Sequence, residues 1–238
     1  MREQKPAHLS LEEINRTVVR CELCPRLARY RRMVAKTKRR QFMQWTYWGK
    51  PLPSFGDPAG KVLILGLAPA AHGGNRTGRM FTGDGSAQFL MEELYKFGFA
   101  NQPSSVSVDD GLRLRDAYMT AIVRCAPPKN KPSRSEIQTC KRYWSGELRF
   151  LPNVRVVLAL GKVTFETYVR YLKEGGVETK EFKFRHGALY RPPKPYPVLV
   201  ASFHPSRQNT QTGKLTKPMF DSVLREVQRV TDSNTRAR

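Results

Sequence analysis

One short run constrains this fold more than any other: Lys61-Val-Leu-Ile-Leu-Gly66. Its apolar residues are continuous rather than alternating, the pattern of a strand covered on both faces. Such a strand needs helices on either side, and the chain supplies the pattern for them. Tyr118–Val123, Val154–Leu160 and Pro197–Ser202 read as three further strands. Between the strands apolar residues recur at helical spacing: Leu11, Ile14 and Val18; Ala87 to Phe97; Val163, Phe165, Tyr168, Tyr171 and Leu172; Met219, Val223, Val227 and Val230. Ser10-Leu-Glu-Glu13 and Ser133-Arg-Ser-Glu136 have the S-x-x-E form that opens helices, the second carrying Cys140 and Trp144. Strands alternating with helices predict an α/β fold with a central, mainly parallel sheet. No internal repeat or domain boundary interrupts it, so residues 1–238 are expected to form one domain, with Thr231–Arg238 a frayed tail.

In such sheets ligands bind outside the carboxyl ends of the strands. That rule selects four loops: Gly66 onward, Cys125–Pro132, Gly161 onward and Ser202–Thr210. The net charge of +22 suggests what they meet. Self-repulsion of that size ordinarily serves a polyanion, and nucleic acid is favoured over a membrane surface because no strongly amphipathic basic helix stands out. A generally basic proteome is the bland alternative. The Arg26–Arg40 segment can lie along phosphates or be a solvated helix face. No apolar run is long enough to span a bilayer, and the polar opening Met1-Arg-Glu-Gln-Lys5 predicts a cytoplasmic protein.

The four cysteines form two pairs, Cys21-x2-Cys24 and Cys125-x14-Cys140. Together they suit a four-sulfur metal site. Disulfides or unrelated buried thiols are the alternatives, the former disfavoured by the expected compartment. Spacing alone does not separate zinc from iron–sulfur, although C-x14-C is not the second C-x2-C of a zinc ribbon.

Three loop residues invite chemical roles. Asp84 is the only carboxylate in the glycine-rich stretch after Gly66, and it is either a functional carboxylate or the N-cap of the following helix. His204 leaves a strand directly before Pro205, where imidazole can hydrogen-bond a leaving group or be satisfied by backbone. Asn130, between two lysines, can read a base edge or be an ordinary turn residue. Phe81, among polar and Gly residues, suits a stacking platform.

Gly66-Leu-Ala-Pro-Ala-Ala-His72-Gly, Asn75-Arg-Thr-Gly, Phe81-Thr-Gly-Asp84, Cys125-Ala-Pro-Pro-Lys-Asn130-Lys-Pro and Ala201-Ser-Phe-His204-Pro-Ser-Arg-Gln-Asn-Thr together resemble the type 5 (type B) uracil-DNA glycosylases. The resemblance runs from about Cys21 to about Met219 and includes all four cysteines. Its first motif has Ala70 where the best-known uracil-DNA glycosylases place a polar, water-positioning residue. It implies a four-stranded parallel sheet flanked by helices, a [4Fe-4S] cluster on Cys21, Cys24, Cys125 and Cys140, and hydrolysis of the N-glycosidic bond of uracil and other deaminated bases, hypoxanthine among them, in DNA. On this reading Asp84 orients or deprotonates water and His204 stabilises the departing base. Phe81 stacks on that base, the Ala68 amide and Asn130 bind its polar edge, and Arg207 and Gln208 fill the gap it leaves. The cluster is structural and the protein a monomer. The rivals are a non-catalytic cluster- or zinc-containing nucleic-acid-binding protein, and a glycosylase preferring thymine or alkylated bases.

Overall fold

The computed structural model describes residues 10–233. In chain order the elements are α1 (Leu11–Val19), α2 (Pro25–Thr37), β1 (Phe55–Gly56), β2 (Val62–Gly66), α3 (Gly74–Thr77), α4 (Gly85–Lys96), β3 (Ala117–Ala121), α5 (Arg134–Glu147), β4 (Val156–Leu160), α6 (Lys162–Glu174), β5 (Leu189–Tyr190), β6 (Val198–Ser202), α7 (Arg207–Gln211) and α8 (Lys217–Asp232). The sheet is mixed and six-stranded, in the order β1-β3-β2-β4-β6-β5. β3, β2, β4 and β6 run parallel, and β1 and β5 close the edges antiparallel. The expected four-stranded sheet is therefore corrected to six. The two added strands pair only two residues each, too few to leave a periodic trace in sequence.

Successive side chains of the parallel strands point to opposite faces. Ile64, Met119, Leu158 and Val200 pack with Leu90, Met91 and Leu94 of α4 and with Phe220, Val223, Leu224 and Val227 of α8. Leu63, Leu65, Tyr118, Val157 and Leu199 pack on the other face with Ile14 and Val18 of α1, Trp144 of α5, and Phe165, Tyr168 and Leu172 of α6. The result is a three-layer α/β/α sandwich, as the continuous apolar strands require.

Both capping patterns operate. Ser10 accepts from the Glu13 amide, and at α5 the Ser133 hydroxyl and Glu136 carboxylate cap reciprocally. The expected frayed tail is corrected at Thr231 and Asp232, which belong to α8; residues 234–238 lie outside the described residues. The basic segment is half turned inward. Helical spacing puts Leu27, Ala28, Arg31 and Val34 on the buried face of α2. Arg31, 2 % exposed, donates to Gly49 O and to Glu22, so it does not face solvent phosphates. Arg29, Lys36, Arg39 and Arg40 remain exposed.

Beneath β3 lies a buried polar network. Arg124 pairs with Glu147 at 2.6 Å, the two side chains 1 % and 0 % exposed. Ser54 and Thr120 hydroxyls donate to the same carboxylate at 2.6 and 2.7 Å. This network anchors the chain immediately before Cys125 to α5.

Candidate active site

The loops leaving β2 and β6 border a small recess at the carboxyl edge of the sheet. Gly66, Ala68, Pro69, Ala70, Phe81, Asp84 and His204 line it. The lining is largely apolar, while the side chains of Asp84, Ser86 and His204 bring the polar groups, the composition of a small-molecule pocket.

Asp84 both caps a helix and lines the recess. It is the N-cap of α4, Oδ1 accepting from Ser86 N at 3.0 Å and Ala87 N at 2.9 Å. Oδ2 accepts no hydrogen bond from the described residues. It leans over Gly73, where an added Cβ would lie 2.1 Å away, so only glycine fits beneath it. Burial pushes the Asp84 carboxyl up, against the lowering pull of the two cap amides and of Arg76.

His204 stands opposite on the loop after β6. Its ring lies 5.9 Å from that of Phe81 at 29° between planes. Burial pushes the imidazole down to about 4, so it is neutral at physiological pH. Neither ring nitrogen hydrogen-bonds to the described residues, leaving a neutral donor free for a ligand. The Asn209 side chain donates to His204 O at 2.8 Å and steadies this corner.

Phe81 holds a left-handed backbone (φ +46°), strain of about 1–3 kcal/mol that marks functional loops. Its ring rests over Gly66, where a Cβ would meet it at 2.9 Å. The N–H of Ala68 has no acceptor among the described residues and borders the recess. Arg207 and Gln208 open the short helix α7, both exposed, and Arg207 packs across Gly85 at the start of α4. The structure thus brings Ala68, Phe81, Asp84 and His204 to one recess, with Arg207 and Gln208 at its rim.

Asn130 is the exception. It is exposed on the turn Pro128–Asn130 and does not line the recess. Its φ of +56°, following Lys129 at +54°, is a left-handed turn conformation that Asn tolerates well, which supports the turn role. Met80, Ser86 and Ala121 also line the recess without having been expected there. Ser86 is the one that sequence could have suggested, two residues beyond a capping Asp.

The four cysteines line a second, apolar pocket between the segment after α1, α2, the Cys125 turn and α5. All are free thiols, so neither disulfide forms. Among the described residues no three metal-binding side chains converge on a single-ion position. Four thiols around one pocket are an all-sulfur donor set. Burial pushes the Cys125 and Cys140 thiols up to about 12, so a bound cation is needed to hold them as thiolates at neutral pH.

Comparison with known proteins agrees with this geometry. A family model of the uracil DNA glycosylase superfamily matches residues 53–228. The type-5 uracil-DNA glycosylase of Thermus thermophilus is 48 % identical over 222 residues, covering 92 % of this chain and 97 % of that protein. The type-5 enzyme of Pyrobaculum aerophilum is 44 % identical, with 89 % of each chain covered. That of Mycobacterium bovis is 42 % identical, covering 93 % of this chain and 82 % of its own. The match spans both the strand-end loops and the fold beneath them, and the chain belongs to the type-5 uracil-DNA glycosylases of the uracil-DNA glycosylase superfamily.

Proposed function

We propose that this enzyme flips uracil out of DNA and hydrolyses its N-glycosidic bond, initiating base excision repair, and that it accepts other deaminated bases such as hypoxanthine. The observation that carries this reading is one recess shared by a free carboxylate oxygen, Asp84 Oδ2, and a neutral, unpartnered imidazole, His204.

A base inside the duplex cannot reach this recess. Flipping costs a few kcal/mol, least at a U·G mismatch. Arg207 and Gln208 at the rim fill the vacated step. The base stacks on Phe81, and the free Ala68 amide receives a carbonyl oxygen. Cleavage of C1′–N1 leaves positive charge on the sugar and negative charge on the base. His204 donates a hydrogen bond to the departing base and remains neutral until that charge develops. Asp84 Oδ2 orients the water and accepts its proton as it attacks C1′, while its charge favours the oxocarbenium-like sugar. Ala70 supplies no polar atom in the first motif, so the water is held from the Asp84 side. Asn130 contacts the base or its flanking nucleotides from outside the recess. The protein acts as a monomer, and its exposed cations hold the phosphates.

The cysteine cavity fits a [4Fe-4S] cluster held by Cys21, Cys24, Cys125 and Cys140. Bound there, such a cluster would fasten the end of α1 to the Cys125 turn and to α5. The hydrolytic residues lie on other loops and act without it. Purified protein is expected to be brown with visible absorption. Cys24→Ala is expected to lose that colour and much of its solubility or thermal stability. A colourless variant of unchanged stability would remove the structural role.

The decisive experiment is a substrate panel. Single-turnover incubation with labelled duplexes carrying uracil, hypoxanthine, xanthine, thymine or etheno-bases is followed by alkali and gel analysis. Strand breaks at uracil, and more weakly at hypoxanthine, are expected. Intact uracil strands with retained DNA binding would convert the protein into a binding module.

A further inference from the structure

Arg76 is enclosed far more completely than the loop around it requires. It is 3 % exposed, and its guanidinium carbon lies 4.0 Å from the Phe42 ring centroid and 4.1 Å from that of Trp45. Nε donates to His72 O and Nη2 to Gly83 O, each at 2.8 Å. Nη1 is buried without an acceptor. Among the described residues no carboxylate forms an ion pair with it, whereas neighbouring Arg79 is spent on Asp110. Gly83 is shaped around this side chain: its φ is +77°, and a Cβ there would meet Arg76 Nη2 at 2.3 Å. Enclosing a cation between two rings without a paired anion is costly unless its charge is used nearby. The carbonyl it holds, Gly83 O, belongs to the peptide leading into Asp84, whose carboxylate its charge favours against the larger opposing effect of burial.

We propose that Arg76 is a positioning residue for hydrolysis. By bridging His72 O and Gly83 O it fixes the peptide that carries Asp84, and its caged charge holds that carboxylate in the reactive, negatively charged form. Phe42 and Trp45 are the walls that keep water from screening it. This inference rests on Asp84 acting as the base.

The other groups facing Asp84 do not replace Arg76. Arg207 of α7 packs over Gly85 but is exposed and screened. His204 is neutral across the recess. His72 is pushed down by burial and by Arg39 and Arg76, and it bonds the Tyr47 hydroxyl. From α4 come only the Ser86 and Ala87 amides. No second carboxylate lines the recess.

The test is the pH profile of single-turnover uracil release from a U·G duplex by Arg76→Gln and Arg76→Lys. Removing the positive charge raises the pKa of Asp84, and Asp84 works ionised. The acid limb should therefore move to higher pH in Arg76→Gln, by about one unit, with roughly tenfold loss at pH values below both midpoints and little loss on the plateau. Arg76→Lys keeps the charge and loses the two-carbonyl bridge. Its limb should stay in place while its maximal rate falls. Affinity for the duplex should hold in both. A merely structural residue would lower the rate at every pH and leave the limb where it is, and that result overturns the proposal. Should Arg76→Gln not fold, Trp45→Leu reads the same quantity. It opens one wall of the cage, and the limb should move in the same direction by less; an unmoved limb there overturns the proposal equally. Asp84→Asn separates the two claims. Full activity in that variant removes the base itself, whereas a dead Asp84→Asn beside an unmoved Arg76→Gln limb removes only the role of Arg76.

Discussion

Asp84→Asn is expected to slow single-turnover uracil release by at least ~100-fold while the protein folds and binds DNA normally. The expectation follows from the division of labour between the two oxygens. Oδ1 accepts from Ser86 and Ala87 N–H, and the Asn side-chain oxygen can do the same, so α4 stays capped. What the substitution removes is the charge and proton-accepting capacity of Oδ2. Asp84→Ala is the contrasting variant, because it also loses the cap, at a cost of about 1 kcal/mol in stability. The wild-type pH profile carries the same information. Burial lifts the Asp84 carboxyl above its ordinary value, and the base must be ionised. Activity is therefore lost as pH falls through that raised value, on a limb lying above the usual carboxylate range. His204, pushed down to about 4 by burial, is neutral at physiological pH. Near-normal rates for Asp84→Asn, or a profile with no acid limb above that of an ordinary Asp, would remove the carboxylate from the mechanism.

The second large effect concerns stability. Glu147→Ala is expected to destabilise the protein by about 3–5 kcal/mol, because Arg124 is left as a buried, uncompensated cation. At roughly 2–4 °C per kcal/mol for a domain of this size, the melting temperature falls by ~6–20 °C. The double variant Arg124→Met, Glu147→Leu should recover most of that loss, since replacing both members of a buried pair by apolar residues is often close to neutral. Thermal denaturation of wild type and the two variants decides the point: a Glu147→Ala protein melting with wild type would show that water or rearrangement satisfies Arg124. The network also bears on the cysteine cavity. Arg124 N donates to Cys140 Sγ at 3.4 Å and its residue precedes Cys125, so loosening Arg124 disturbs two of the four sulfurs.

Sequence disclosed the parts whose cause is local. Val62–Gly66 announced a doubly covered strand because nothing polar interrupts it. Ser133 and Glu136 announced a helix because the capping box closes within four residues. The loops that border the recess followed from the rule that places ligands at strand carboxyl ends, and Asp84 and His204 line it. What escaped depended on distant partners. Arg31 read as one more cation in a basic run, although its spacing from Leu27 and Val34 puts it on the buried face. Arg76 gave no sign, because the rings that cage it come from Phe42 and Trp45, some thirty residues earlier in the chain. Asn130 stands on a left-handed turn outside the recess, a position set by the backbone of the Cys125–Pro132 loop that side-chain chemistry alone does not reveal.

The two-residue edge strands have a consequence of their own. A parallel sheet ending on β3 and β6 would expose full-length rows of unpaired amides and carbonyls, ready templates for a second chain. β1 covers part of the β3 edge at Tyr118 and Met119, and β5 part of the β6 edge at Leu199 and Val200. Each is too short to serve as a template in turn. Together with the repulsion between copies of charge +22, this blunting disfavours edge-to-edge aggregation, so crowded copies of the chain stay apart without a covering subunit.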